Sequence, residues 1–375
     1  MFEPDFGSEE FAAVQEPLRK GWITMGEATL RLESEFAARC GVRHAIAVNN
    51  CTAALHLAVV AAGIRPGDEV ICPTLTFVAT ANAVRYAGAM PVFCNSVGPE
   101  NLNIGPAEVA ELITPRTRGV IAVHYAGFPV DMAGIQDLAR KHGLVIIEDC
   151  AHALFSTLQG RSCGALGTVA GFSFFGNKNM TCAEGGMVTT NDDEIAGRVR
   201  NMRSHGMTTL TLDRYKGRAN SYDVIASGYN YRLDDIRSEL ALVQLKRLDG
   251  FLTERRRVRT RYIDWLAGSV VSVPDFDWNR ISSPGDSVGH HIMSVLLPEG
   301  CNRSDTMEQL KLQGIQSSLH YRPVHTFSAF SDSAAPAGRL AETEALASRQ
   351  LTLPMYPTMG NEQVDLVCES LLAAM

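Results

Sequence analysis

Two acids close an apolar run at Leu144-Val-Ile-Ile-Glu148-Asp149, and a lysine, Lys178, follows another at Gly171-Phe-Ser-Phe-Phe-Gly176-Asn. Adjacent strand residues point to opposite faces, so Glu148 and Asp149 must have different jobs. Taken singly, the acids read as a helix cap or a buried ion pair, and the lysine as a surface side chain with its stem on apolar surface. The glycine spacing of 171–178 superficially suggests a phosphate loop, but the lysine comes one place late and no Ser or Thr follows it. The segment is also made of β-forming aromatics, so that reading fails. A lysine beside a dry pocket has a lowered pKa, as a Schiff-base amine needs. An acid at a strand end and a lysine past the next strands together suit pyridoxal 5'-phosphate (PLP). The lysine would hold the aldehyde as an imine, and the carboxylate would keep the pyridine nitrogen protonated so that the ring accepts electrons.

Such a site needs strands that end along one edge. Continuous apolar runs at His44–Val48, Glu69–Cys72, Pro91–Cys94, Gly119–Val123, Leu144–Glu148, Val169–Phe175 and Met187–Thr190 read as strands covered on both faces. Helical patterns such as Ala53–Ala62, Val78–Tyr86 and Met132–His142 lie between them. This order predicts an α/β fold with a mainly parallel sheet, in which ligands bind beyond the carboxyl ends of the strands. Residues 207–230 are polar and without period, and a long helical pattern runs from about Asp234 to Trp265. Strands at Ser269–Val273, His291–Leu297 and Ser317–His320, with helices near 303–313, 337–350 and 361–374, predict a smaller α+β domain. The expected division is 1–249, a large domain with an N-terminal arm, and 250–375, the small one.

Composition removes several function classes. The 375 residues carry a net charge of −7, which argues against nucleic acid but not against a small anion in a local pocket. The nine cysteines include no CxxC pair, so no zinc or redox motif is indicated, and a reducing cytoplasm fits best. The N-terminus lacks the basic start and apolar core of a signal peptide. The most apolar stretch, around 53–64, is short and contains His56, so no membrane span is expected.

The chain resembles the DegT/StrS family of PLP-dependent aminotransferases, which mostly aminate nucleotide-linked keto sugars. The resemblance runs through Gly21-Trp-Ile-Thr24-Met-Gly26, Asn50-Cys-Thr-Ala-Ala-Leu-His56, Pro73-Thr-Leu-Thr-Phe77-Val-Ala-Thr-Ala-Asn82 and Glu148-Asp149-Cys-Ala-His152-Ala. It continues in Ser173-Phe-Phe-Gly-Asn-Lys178, Glu184-Gly-Gly-Met187, Gly228-Tyr-Asn-Tyr-Arg232 and His320-Tyr-Arg-Pro-Val-His325. It implies the aspartate-aminotransferase-like fold (PLP fold type I) and a homodimer with active sites at the subunit interface. PLP would be bound covalently to Lys178, which also shuttles the proton, and would pass through pyridoxamine phosphate. Asp149 would pair with the pyridine nitrogen, His152 lie near the phenolic oxygen, and Phe77 stack on the ring. Cys51, Thr52 and Ser173 would hold the phosphate; helix N-termini favour anions. Asn230, with Arg232 as a second candidate, would reach the phosphate of the neighbouring subunit's cofactor. Thr24, His320 and Tyr321 would line the sugar pocket. The expected reaction moves an amino group from L-glutamate to a nucleotide-linked 4-keto- or 3-keto-6-deoxy sugar, and the Phe-Phe-Gly-Asn-Lys form is similar to perosamine-synthase-like enzymes.

Three positions depart from the family pattern, and the last of them weakens the transfer of sugar preference. Cys51 stands where many relatives have Gly, Asn95 replaces a common Asp, and Met180 occupies a place where some relatives carry a polar, substrate-touching residue. An aminocyclitol ketone is an alternative substrate, and a non-catalytic regulatory protein on the same fold an alternative class. A PLP-dependent dehydratase would need His in place of Lys178. The arginine run Glu254–Arg261 reads as a solvated helix face, Asp234 and Asp235 as caps of the long helix, and His325 as pocket-lining. His290-His291 lacks acid or cysteine partners at ligand spacing, so no metal is expected.

Overall fold

Alternate residues of the central strands enter two different cores, because both faces of the sheet are covered by helices. In the computed structural model, which describes residues 3–209, 216–217, 221–333 and 339–375, the strands are β1 (His44–Val48), β2 (Glu69–Pro73), β3 (Met90–Cys94), β4 (Thr117–Val123) and β5 (Val145–Asp149). A short hairpin, β6 (Thr157–Leu158) and β7 (Arg161–Ser162), precedes β8 (Val169–Ser173) and β9 (Gly186–Thr190). Seven of them form one sheet in the order β1-β9-β8-β5-β4-β2-β3. Neighbours from β3 to β8 are parallel, and β9 runs antiparallel to both β8 and β1. Ala45, Ala47, Val120, Ala122 and Ile146 enter one core, while Ile46, Val48, Ile121, Val123 and Ile147 enter the other with the Cys51–Ala61 helix. This is the expected α/β architecture of PLP fold type I. By the same alternation, Glu148 falls on the face of Ile146 and Asp149 on the face of Ile147, toward that helix.

The helix Asp235–Leu266 serves two cores. Ala241, Leu245, Leu248 and Phe251 pack with the large sheet. Val258, Tyr262 and Leu266 pack with a second sheet made of β10 (Met293–Leu296) and β11 (Gln350–Leu353), paired antiparallel. Residue 249 thus falls inside a continuous helix. The runs Ser269–Val273 and Ser317–His320 each make only one bridge, Ser272 to Leu296 and Ser318 to Thr352. In their place stands β11, which directly follows the helix Ala341–Arg349. Pro354 ends it and disfavours helical backbone at Leu353.

The arginine run is not uniformly solvated. Helical periodicity carries the inward stripe from Phe251 through Arg255, Val258, Arg259 and Tyr262, so Arg255 is 3% and Arg259 7% exposed. Arg255 donates to the carbonyls of His291 and Met355. Arg259 donates to the Pro274 carbonyl and lies over the Phe128 ring. Arg257 and Arg261 instead meet Glu254 and Asp365 near the surface. Asp234 caps the helix as expected, accepting from the Arg237 amide. Asp235 does not: its carboxylate accepts from Gly26, Ala28 and Thr29, closing the start of the helix Glu27–Cys40.

The polar stretch 207–230 lies partly outside the described residues. Its described ends fold back through bridges between Met207 and Val224 and between Ser204 and Asn230. A Cβ at Gly228 would meet the Gly206 nitrogen at 2.1 Å, so only glycine fits there. No described helix is long and apolar enough to cross a membrane.

Candidate active site

The carboxyl edge of the sheet opens into a cavity of about 480 Å³. Lys178, Asp149, Cys51, Thr52, Phe77, His152, Ser173, His320 and Tyr321 all line it. Strand direction explains the convergence: β5 ends at Asp149, β8 ends at Ser173, and β1 and β2 lead into Cys51 and Phe77. At the start of the antiparallel β9, a Cβ on Gly186 would come within 2.7 Å of the Asn50 carbonyl. Glycine there lets β9 approach the turn that opens the Cys51–Ala61 helix. Asn50 caps this helix, its side chain accepting from the Ala53 amide at 2.8 Å. The amides of Cys51 and Thr52 then have no partner within the helix and form an anion-binding end.

Asp149 is 5% exposed. It accepts from the Thr80 hydroxyl at 2.8 Å and the Ala151 amide at 3.1 Å. Burial pushes its carboxyl above the usual range, while these two bonds and Lys178 act the other way. Burial also lowers the Lys178 amine from 10.5 to about 8, with Cys51 and Asp149 opposing. The Cys51 thiol is driven well up by burial and by Asp149, so it stays neutral and offers the site its backbone.

His152 receives the Ala126 amide on Nδ1 at 3.3 Å, so its proton lies on Nε2, which donates to the Tyr321 hydroxyl at 2.8 Å. Burial and the neighbouring Lys178 hold this imidazole neutral, well below its ordinary range. His320 bonds the Thr352 hydroxyl at 2.9 Å and is lowered to about 4, chiefly by burial. Phe77 is 57% exposed although its ring lies 5.9 Å from that of Tyr321, an apolar face left open beside the cavity.

Glu148 has the separate job that strand alternation predicts. It accepts from the amides of Gly164, Leu166 and Gly167 and from His124 Nε2, at 2.6 to 2.9 Å. His124, Glu148 and Cys150 group like metal ligands. Yet His124 Nδ1 already receives the Val130 amide at 3.1 Å, so its other nitrogen carries a proton and has no lone pair for a metal. The cluster is a clamp on the loop between β7 and β8. Glu148→Ala would strand three amides and one imidazole N–H. It should lower stability by about 3–5 kcal/mol, read from the urea midpoint.

Two sequence candidates lie elsewhere in the chain: Thr24 and Asn230 are exposed and do not line the cavity. His325 does not line it either, because its ring is held between Thr74 and Glu344. Met180 is fully buried in the core, so the position does not present a side chain to the cavity. Sequence reasoning missed Thr80, which orients Asp149, and His291, whose Nε2 lies 3.3 Å from Lys178 Nζ. Thr80 lies within the Pro73–Asn82 motif and could have been found there; His291 carried no local signal.

The sequence profile of the DegT/DnrJ/EryC1/StrS aminotransferase family matches residues 4–372. The structure is similar to that of the aminotransferase TlmJ from Streptoalloteichus hindustanus, with 33% identity, a TM-score of 0.90, and coverage of 100% of this chain and 97% of that one. DesV from S. venezuelae shares 34% identity at a TM-score of 0.88, covering 98% and 94%. Spr1654 from Streptococcus pneumoniae, a candidate sugar aminotransferase solved in its PLP form, shares 26% identity at a TM-score of 0.90, covering 99% and 97%.

Proposed function

The chain belongs to the DegT/DnrJ/EryC1/StrS aminotransferase family and is a PLP-dependent sugar aminotransferase; on that premise we propose that it moves an amino group from L-glutamate to a nucleotide-linked 4-keto- or 3-keto-6-deoxy sugar. The observation that carries the assignment of residues is the meeting of the Lys178 amine, the Asp149 carboxylate and the N-terminus of the Cys51–Ala61 helix in one cavity.

These groups fit PLP by their chemistry. The helix-end amides with the Thr52 and Ser173 hydroxyls suit a phosphate dianion, and Phe77 presents an uncovered aromatic face to a ring. Asp149 is a buried carboxylate whose bonds within the chain come from neutral donors, Thr80 and Ala151, which suits a protonated ring nitrogen. PLP, when bound, supplies an electron sink for the amine-bearing carbon of the substrate.

In this reading Lys178 holds the cofactor covalently and, once released, takes the proton from the donor's α-carbon. A lysine lowered from 10.5 to about 8 has about a tenth of its amine free at pH 7, far more than an ordinary lysine, as a general base needs. In the second half-reaction the same amine returns a proton to the carbon of the acceptor sugar. His152 donates from Nε2 toward Tyr321, which fixes that hydroxyl on the cavity wall. His320 and Tyr321, on the cavity wall, contact the sugar. The enzyme acts as a homodimer in which the exposed Asn230, with Arg232 beside it, reaches the phosphate site of the other copy. Residues 1–249 bind the cofactor and 250–375 close the sugar site.

The test is to load the chain with PLP, add L-glutamate, and follow the cofactor's visible absorption. The band should bleach with glutamate and return on addition of a nucleotide-linked keto sugar. Return with an inosose but with no nucleotide sugar would replace the substrate by an aminocyclitol ketone. No bleaching by glutamate would remove the donor assignment.

A further inference from the structure

Lys178 has a neighbour that the cofactor does not account for. His291, just ahead of β10, is 4% exposed and places Nε2 3.3 Å from Lys178 Nζ. Its Nδ1 lies 3.1 Å from Oδ1 of Asn179, the residue after the lysine. The Asn179 amide nitrogen donates to the Gly289 carbonyl at 2.6 Å. A carbonyl can only accept, so the amide oxygen of Asn179 must be the atom that faces His291. His291 therefore carries its proton on Nδ1 and turns the lone pair of Nε2 toward the lysine. Its backbone is fixed as well, the amide donating to the Ala126 carbonyl at 2.9 Å and the carbonyl accepting from Arg255 at 3.0 Å. The same Lys178–Asn179 pair thus delivers both the amine and the group that orients its acceptor.

We propose that His291 is a positioning residue for Lys178: its Nε2 accepts a hydrogen bond from the amine whenever that amine is not covalently engaged, and so parks it between the two half-reactions. An amine held this way gives up one N–H and keeps its own lone pair for the substrate proton. The acceptor persists because His291 stays neutral. The groups that face it are Lys178, His152 with its ring centroid at 4.4 Å, His320 and the Arg255 guanidinium. Burial and these groups all disfavour an added positive charge, holding the imidazole well below its ordinary range.

The proposal rests on Lys178 being the reacting amine, and its first test needs no turnover. In the full chain labelled with ¹⁵N-histidine, nitrogen shifts should report Nδ1–H and a bare Nε2 for His291 across about pH 6–8. A proton on Nε2, or an imidazolium, would overturn the proposal on the native chain. The second test is competitive acylation of Lys178 in the cofactor-free chain, read by peptide mass against pH. The wild-type midpoint is expected at about 8. In His291→Leu the ammonium loses its acceptor, and the midpoint should fall by about one unit, a tenfold change in amine reactivity. His291→Gln, whose Oε1 can accept, should restore it. An unchanged midpoint in His291→Leu, or the same fall in His291→Gln, would overturn it. If the leucine variant fails to fold, the nitrogen shifts of the native chain decide. A wrong tautomer would leave the assignment of Lys178 standing, whereas a failure of that assignment appears in adduct mapping of the cofactor-loaded enzyme.

Discussion

Lys178→Ala should lower transamination on the order of 10⁴-fold, the upper range for losing a positioned general base. On the proposed mechanism the variant loses both the covalent attachment and the group that moves the proton, and the cavity holds no second amine among its lining residues. The effect should be separable from folding. A lysine lowered from 10.5 to about 8 by burial binds its proton less well in the folded chain than in the unfolded one. The folded state therefore carries a cost that is fully present below about pH 8 and disappears as pH rises through the unfolded value near 10.5. Removing the amine relieves that cost, so at pH 7 the alanine variant should unfold at a midpoint no lower than wild type. Inactivity with intact stability is the expected pair of results; an equal loss of stability would place Lys178 among the structural residues.

Asp149→Asn should cost about 10³-fold in rate and weaken PLP binding, with the fold preserved. The side chain keeps its shape but loses its charge; its oxygen can still accept from the Ala151 amide, while its NH₂ meets the Thr80 hydroxyl, which must turn from donor to acceptor. The buried carboxyl lies above its usual range in the chain alone. A cation placed against it would restore the ionised form, because opposite charge favours the charged state. Asparagine cannot make that response, so the ring nitrogen would lose the anion that keeps it protonated. A titration of PLP into the variant, followed by steady-state rates, measures both effects. Wild-type rates in Asp149→Asn would contradict the assigned role.

The contrast between Glu148 and Asp149 marks how far the sequence could be read. Strand alternation alone separates their roles, and the structure sends one into a loop clamp and the other into the cavity. Most central strands were legible because buried parallel strands are continuous apolar runs. The smaller domain was less so. Gln350-Leu-Thr-Leu353 pairs with Met293–Leu296 across more than fifty residues, and such a pairing leaves little local pattern. The arginine run misled for a related reason: charge suggests solvent, but Arg255 and Arg259 find carbonyls inside the protein that no local spacing reveals. His291 and His325 show the same limit in the site. Both are histidines near family motifs or strand starts, yet only tertiary packing puts one beside Lys178 and ties the other to Thr74 and Glu344.

The proposed mechanism stands or falls with Lys178 as the residue that carries the cofactor. The most direct measurement is borohydride reduction of the PLP-loaded enzyme, followed by proteolysis and mass mapping of the pyridoxyl adduct. The adduct is expected on the peptide containing Lys178 and should disappear after prior incubation with L-glutamate. An adduct on a different lysine, or none in a chain saturated with PLP, would contradict it.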